Sequence, residues 1–155
     1  MKEKIRELAL SMGFTACGFT TTQEIDGASG RLKSWLERGF NADMGYMANH
    51  FEMRTNPSIL VENSKTVISL LFNYYPQELQ RVDSYKIAKY AYGKDYHKVF
   101  KGRIQELFDR VNSEISPIRG RVFTDSAPLM ERELAVRAGL GWIGKNSLLV
   151  TKEFG

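Results

Sequence analysis

The run Thr124-Asp125-Ser126-Ala127-Pro128 contains the side chain that is best placed to do chemistry. Asp125 follows a short apolar run and precedes a helical pattern, so we predict it at the end of a strand and the beginning of a helix. Open α/β sheets bind ligands at the carboxyl ends of their strands, which would put this carboxyl group at a ligand site. Asp and Ser are also the usual residues that cap helix N-termini, and on these residues alone capping is the favoured interpretation.

A second run, Gly139-Leu140-Gly141-Trp142-Ile143-Gly144, has the spacing of a dinucleotide-binding loop, and with Lys145 it nearly has that of a phosphate-binding loop. Both motifs need a strand, a glycine turn and then a helix, so that phosphate meets a helix N-terminus. Here a helical pattern comes before the glycines and a strand-like run comes after them. Asn146 also lacks the hydroxyl group that would hold magnesium. The order argues against nucleotide binding and favours a helix cap followed by a tight turn.

Few other side chains in the sequence are suited to catalysis. The chain has two histidines, His50 and His97, and one cysteine, Cys17, which disfavours a catalytic metal site built from protein ligands alone. A cysteine–histidine nucleophile pair is disfavoured as well, because Cys17 lies in a predicted strand and is expected in the core. Arg54, in the run Met53-Arg54-Thr55-Asn56-Pro57, is a further polar candidate.

Composition and charge narrow the class of protein. The 155 residues are 43% hydrophobic and 26% charged, as in an ordinary globular domain, and the net charge is +4. That charge is compatible with a polyanionic partner or with a mildly basic solvated surface. The densest basic stretch also carries aromatic rings: Lys94, Lys98, Lys101 and Arg103 alternate with Tyr92, Tyr96, His97 and Phe100. No apolar run reaches the roughly 20 residues that span a bilayer, so we expect a cytoplasmic protein with no membrane partner.

The elements that would position these residues follow from the hydrophobic periodicity. We predict helices near 5–12, 32–36 and 104–115 and from about Pro128 to Gly139, and strands at 14–20, 66–74, 121–124 and 147–151. The segment 42–56 is predicted to be irregular with a short helix, and 85–92 to be either a strand or irregular. The strand at 66–74 is apolar at consecutive positions, which predicts burial on both faces. Helices and strands thus alternate, and we expect an α+β fold of mixed α/β layers with a central sheet flanked by helices.

Several of these runs together resemble one enzyme family. The runs 125–132 and 138–147, Asp-Ser-Ala-Pro-Leu-Met-Glu-Arg and Ala-Gly-Leu-Gly-Trp-Ile-Gly-Lys-Asn-Ser, are similar to the signature of the epoxyqueuosine reductases. So are Tyr92-Gly93-Lys94-Asp95-Tyr96-His97-Lys98 and the segment from Met44 through Arg54 to Pro57. The resemblance extends over essentially the whole chain and is in register.

The resemblance implies an oxidoreductase that completes queuosine biosynthesis in tRNA and uses cobalamin and two 4Fe-4S clusters. Reduced cobalamin would attack the epoxide-bearing ring, and the oxygen would leave as water after proton donation. Asp125 matches the family's proton donor. The residues that we expect to line the cobalamin site, by the same resemblance, are Arg54, Tyr96, His97, Asp125, Lys145 and Ser147. The fold is expected to resemble the nitroreductase-like cobalamin-binding domains.

The resemblance also implies that part of the enzyme lies outside these residues. Two such clusters need about eight cysteines, and the chain has only Cys17. We therefore expect residues 1–155 to be the cobalamin-binding N-terminal domain of a longer enzyme, without the iron–sulfur domain. We expect a monomer that binds cobalamin weakly and does not turn over alone.

The proton-donor role sets a condition on Asp125. Burial beside the corrin should raise its pKa, whereas a helix N-terminus would favour the carboxylate. Our hypothesis is that burial dominates only when cofactor and substrate are bound. Two other functions stay open from the sequence: a cobalamin-binding module without redox chemistry, and a flavin-dependent reductase. A pure tRNA-binding module would instead bind with a steep salt dependence and without a cofactor.

Overall fold

A computed structural model describes the backbone of residues 1–155 and every side chain except that of Asp26. The helices are α1 (Lys2–Ser11), α2 (Asp26–Glu37), α3 (Phe51–Thr55), α4 (Pro57–Leu60), α5 (Tyr96–Arg110) and α6 (Glu131–Arg137). The strands are β1 (Ala16–Thr21), β2 (Thr66–Leu71), β3 (Trp142–Ile143) and β4 (Leu149–Val150). Short 3₁₀ turns occupy Gly45–Met47 and Lys89–Ala91, and α5 continues into one π-helical turn at Val111–Ile115.

The strands form two separate antiparallel pairs. β1 pairs with β2 along its whole length, from Ala16 opposite Leu71 to Thr21 opposite Thr66. β3 pairs with β4 in a short hairpin. The predicted α+β class is confirmed, since helices cover a small central sheet, whereas the nitroreductase-like comparison stays a prediction.

The sheet of β1 and β2 is covered on both faces, as the lack of alternation in β2 predicted. On one face, Cys17, Ile68 and Leu70 pack with the apolar stripe of α1 and with Leu107 and Val111 from the end of α5. On the other face, Val67 packs against a cluster formed by Ile25, Ala28 and Leu134 of α2 and α6. The sheet therefore fixes where α5 and α6 lie, one on each side.

Gly18 permits the close approach of α6 to β1. A Cβ atom at Gly18 would lie 2.7 Å from the carbonyl oxygen of Ala138 and 2.8 Å from its methyl group. Such distances are shorter than any van der Waals contact, so only glycine lets the end of α6 rest on this strand.

Two predictions about the Asp125 region are wrong. Arg121–Thr124 is not a strand: it has no ladder partner in the described structure, and the chain from there to Met130 runs through bends. The helix after Asp125 begins at Glu131, three residues later than predicted, so Pro128 lies before the helix and not in its first turn.

Among the described helices, none is both long enough and apolar enough to cross a membrane.

Candidate active site around Asp125

The first turn of α5 carries Tyr96 and His97 and is fixed by Asp95. The Asp95 carboxylate caps the helix by accepting a hydrogen bond from the His97 backbone N–H at 3.0 Å, as an N-terminal aspartate commonly does. The same carboxylate oxygen lies 3.0 Å from Nδ1 of the His97 ring. These contacts to His97 lower the pKa of Asp95. The cap therefore sets the direction of both side chains that follow it.

Tyr96 and His97 both face Asp125. The Tyr96 hydroxyl donates a hydrogen bond of 2.9 Å to Oδ2 of Asp125, and Nε2 of His97 lies 3.9 Å from the same oxygen. The Tyr96 and His97 rings stack with centroids 4.0 Å apart. The Asp125 side chain is 52% exposed, so its carboxyl group is held in place and remains open to solvent or to a bound ligand.

The backbone of Asp125 adopts an unusual conformation. Its φ is +49°, in the left-handed region that few non-glycine residues adopt, although aspartate is among those that tolerate it best. Its backbone N–H donates a hydrogen bond of 3.0 Å to Oε1 of Glu131. Asp125 therefore does not cap α6, whose N-cap residue is Met130 and makes no side-chain capping bond. The capping interpretation is wrong for this residue.

Ser147 and Lys145 lie in the turn between β3 and β4, and one contact ties that turn to the start of α6. Arg132 donates a hydrogen bond from its guanidinium group to the Ser147 carbonyl oxygen. Because Arg132 follows Glu131, which holds Asp125, Ser147 is linked to the Asp125 region through two adjacent residues of α6. Lys145 shares the turn and is exposed.

Arg54 has a different set of contacts. Its guanidinium group donates hydrogen bonds to the carbonyl oxygens of Asn49 at 3.2 Å and Tyr46 at 3.0 Å. These bonds hold the irregular segment before α3 in shape, and the described contacts do not bring Arg54 to Asp125.

The structure agrees with the argument against a nucleotide-binding loop. The glycine run follows α6, with Gly139 in a left-handed C-terminal conformation at φ +77°, and leads into the β3–β4 hairpin. A Cβ atom at Gly141 would lie 2.2 Å from the Val150 carbonyl oxygen, so this glycine serves the close packing of the hairpin. Three glycines are thus explained by a helix end and a hairpin.

Cys17 is a core residue, as predicted. It is buried on the face of β1 that packs on α1. Burial raises its pKa to about 11, which keeps it a thiol at neutral pH. A cysteine–histidine nucleophile pair is therefore excluded for this residue.

The basic stretch on α5 is mostly solvent-facing. Lys94, Lys98, Lys101 and Arg103 are all exposed. Arg103 also lies over the Phe72 ring at 5.1 Å and donates a hydrogen bond to the Met12 carbonyl oxygen, whereas the three lysines are open to a polyanion.

Two surface cavities lie elsewhere. One of about 410 Å³ is bounded by the end of β2, the glycine run and the C-terminal residues, and one of about 420 Å³ lies between α2 and α6. Asp125 lines neither of them.

Two residues of the site were not predicted. Glu131 was given no role of its own from the sequence, but its side chain reaches back six residues to the Asp125 backbone. Thr124 has a buried hydroxyl oxygen with no hydrogen-bond partner among the described groups. Asp95 also belongs to the site, and the sequence did carry a signal for it. Its residue type and its position before a helix are typical of an N-cap.

Comparison with known proteins identifies the relatives of this chain. Residues 54–126, which include Arg54, Tyr96, His97 and Asp125, match the family model described as "Epoxyqueuosine reductase QueG, DUF1730". An epoxyqueuosine reductase of Leadbetterella byssophila is 46% identical over 153 residues, which cover 99% of this chain and 51% of that protein. The chain spans about half the length of the curated relatives it matches.

Solved structures agree. Epoxyqueuosine reductase from Streptococcus thermophilus matches with a TM-score of 0.87 at 30% identity, covering 100% of this chain and 43% of that one. A crystal structure of epoxyqueuosine reductase with an epoxyqueuosine-modified tRNA-Tyr stem loop matches with a TM-score of 0.83 at 29% identity, over 99% and 42% of the two chains. The Bacillus subtilis enzyme, in a form whose catalytic aspartate loop is swung out of the active site, matches with a TM-score of 0.81 at 29% identity, over the same shares.

Proposed function

We infer that the chain, which matches epoxyqueuosine reductases over about half of their length, carries the proton-donating part of an active site that reduces epoxyqueuosine in tRNA to queuosine. The observation that supports this most is the Asp125 carboxyl group, which is half-exposed and held by the Tyr96 hydroxyl at 2.9 Å. The family model also extends over these two residues.

The reaction explains why an acid is needed. Converting an epoxide to an alkene breaks two carbon–oxygen bonds, consumes two electrons and two protons, and releases the oxygen as water. An alkoxide is a poor leaving group, so a proton must reach the oxygen as the bond breaks. Asp125 is the acid of this site that can meet a ligand, because Asp95 is occupied by His97 and Glu131 by the Asp125 backbone.

Tyr96 and His97 orient the acid. The hydrogen bond from Tyr96 fixes Oδ2 of Asp125, which leaves Oδ1 to face the substrate oxygen. A defined orientation matters because proton transfer requires heavy atoms within about 2.6–3.2 Å. His97, 3.9 Å from Oδ2, is the nearest group that could return a proton to Asp125 from solvent between turnovers.

Cobalamin fits the chemistry of the groups around Asp125. The corrin carries amide groups around its edge, and the region offers a hydroxyl, an imidazole and the buried Thr124 hydroxyl, which has no described partner. When bound, cobalamin would supply a strongly nucleophilic reduced cobalt. Tyr96, His97 and Asp125 would contact it from one side, and Lys145 and Ser147 from the β3–β4 turn. Arg54 would act indirectly, by holding the segment that precedes α3.

The two electrons that reduce the epoxide would have to come from a donor outside these residues. A chain with one cysteine cannot bind two iron–sulfur clusters, so we place their ligands outside these 155 residues. The exposed lysines of α5 are suited to the phosphates of a tRNA stem loop, which is the partner of the relative described above.

The loop that carries Asp125 is proposed to move. It runs through bends from Phe123 to Met130, with a left-handed Asp125, and the catalytic aspartate loop of the Bacillus subtilis relative has been seen swung out of its active site. Movement would let the acid withdraw while the substrate enters and return before the oxygen leaves.

The function is tested by supplying the intact protein that contains this chain with epoxyqueuosine-containing tRNA, cobalamin and a chemical reductant. Mass spectrometry of the digested nucleosides should detect the loss of one oxygen from the modified base. A parallel reaction with flavin in place of cobalamin should give no conversion. Conversion with flavin alone, or none under any condition, would contradict the proposal.

A further inference from the structure

Glu131 is a partly buried carboxylate that the reaction as described does not use. It is the first residue of α6, and α6 is anchored in the core through Leu134, which is 2% exposed. Burial raises the pKa of Glu131, and the nearby charge of Asp125 raises it further. Holding such a group in this position is costly, and the effect of the helix dipole alone is a weak reason for it.

The loop around Asp125 has few other attachments. Among the hydrogen bonds described for the backbone of residues 122–128, one joins the Asp125 N–H to Glu131 and the other, from Leu129 to Ala127, stays within the loop. Next to it, the buried Thr124 hydroxyl has no described partner. The bond to Glu131 is therefore the one described backbone bond that ties this stretch to a helix or strand.

That bond also opposes strain. A left-handed conformation at a non-glycine residue is less stable than an ordinary one and persists only when its surroundings hold it. At Asp125 the φ of +49° points the N–H toward α6, where the Glu131 carboxylate accepts it at 3.0 Å. A charge-assisted bond of this kind is about twice as strong as a neutral one.

We propose that Glu131 is a positioning residue, a latch whose carboxylate holds residues 124–128 in the conformation that presents the Asp125 acid. Its role in catalysis rests on the proposed function, whereas the latch itself does not. When the bond breaks, the loop loses its attachment to α6 and Asp125 leaves Tyr96. Glu131 thus controls how often the acid is in place.

The latch also has an electrostatic side. The titratable groups that face Asp125 are Tyr96 and His97 from α5 and Glu131 from α6. Glu131 is the carboxylate of α6 among these three, and because its pKa is raised, the charged acceptor of the latch is lost as the pH falls through that raised value. E131Q should therefore remove this pH dependence from the protection of the Asp125 amide, an effect that a purely structural residue would not produce.

Hydrogen exchange of the Asp125 amide in this chain tests the latch without substrate or cofactor. E131M removes the acceptor but keeps the volume, and it should fold because an apolar residue replaces a partly buried charge. The Asp125 amide should then exchange about tenfold faster or more, as expected for losing one bond to a charged group. E131Q, which keeps an acceptor oxygen, should restore most of the protection.

E133M is the matched control, because Glu133 lies in the same first turn of α6 and pairs with the exposed Arg31 instead. It should leave the Asp125 amide unchanged. Equal exchange in the wild-type chain, E131M and E131Q would overturn the latch, whatever the activity. Faster exchange in E131M with no conversion by the intact wild-type protein would uphold the latch and overturn the proposed function instead.

In the intact protein, E131M should lower kcat, and E131Q should restore part of that loss. Protection of the Asp125 amide that falls equally with pH in E131Q and in the wild-type chain would overturn the electrostatic part of the proposal.

Discussion

Tyr96 is the hydrogen-bond donor that holds the Asp125 carboxyl group in place. Its hydrogen bond to Asp125, followed by partial burial, raises the pKa of Tyr96 to about 12. The raised pKa means that the protonated phenol is favoured in the folded protein. The bond is therefore intact below about pH 10, the ordinary tyrosine value, and is lost as the pH rises toward 12.

The titration of Tyr96 should depend on its acceptor. In D125N the neutral amide oxygen accepts more weakly and repels a phenolate less, so the pKa of Tyr96 should fall toward the ordinary tyrosine value. NMR of the chain with ¹³C-labelled tyrosine would follow it, with Y96F to assign the resonance. D109N, which removes an exposed carboxylate of α5, should leave the value at about 12. An equal value in D125N and the wild-type chain would show that Asp125 is not the acceptor.

Single residues differ in how far the sequence could predict them. Asp125, Tyr96 and His97 were found because the runs around them resemble a family, although their contact joins positions 29 apart in the chain. Glu131 was not assigned to the site, because no local rule links a glutamate to the backbone of a residue six positions earlier. The left-handed Asp125 could not be predicted either, since aspartate adopts this conformation only when its surroundings require it.

At the scale of elements, the site depends on how closely α6 rests on the central sheet. Gly18 lies at that contact, with the Ala138 backbone where its side chain would be. Any movement of α6 would carry Glu131 with it and alter the hold on Asp125.

Replacing Gly18 by alanine should therefore destabilise the fold. We expect G18A to lower the free energy of unfolding by about 1–3 kcal/mol, the usual cost of inserting a methyl group into a packed core. Urea denaturation followed by circular dichroism would measure it. G102A is the control: it lies within α5 with no atom within 4 Å of its new Cβ, and should raise the same free energy by about 0.5–1 kcal/mol. If G18A left the free energy of unfolding unchanged, α6 would be able to shift away from β1 without cost.

The elements with strong periodicity were predicted well. The helix ending before Gly13, the strand after it and the strand predicted at 66–74 are confirmed within a few residues. The amphipathic helix predicted at 104–115 is confirmed, but α5 begins eight residues earlier, at Tyr96. The predicted strand at 121–124 is wrong, because an apolar run becomes a strand only if a partner edge lies beside it, and the sequence does not contain that information. Because α6 begins only at Glu131, the residues before it form a loop, and Asp125 lies in that loop.

At the scale of the whole molecule, the site around Asp125 lies on an open surface of the protein. Asp125 is half-exposed, and it lines neither of the two cavities described above. The chain spans about half the length of its relatives. Under the proposed function, we expect the walls of the site to be completed by the bound cofactor and substrate, and the acid to become buried only when they are bound.

The central claim is that Asp125 delivers the proton to the departing oxygen, and one comparison tests it most directly. In the intact protein, conversion of epoxyqueuosine-containing tRNA would be measured for D125N and D109N, with cobalamin binding followed by its visible spectrum. We predict that D125N lowers kcat by about 10²–10⁴-fold, the usual contribution of a general acid, while its cobalamin spectrum matches that of the wild-type protein and D109N keeps full activity. Undiminished turnover by D125N would contradict the account.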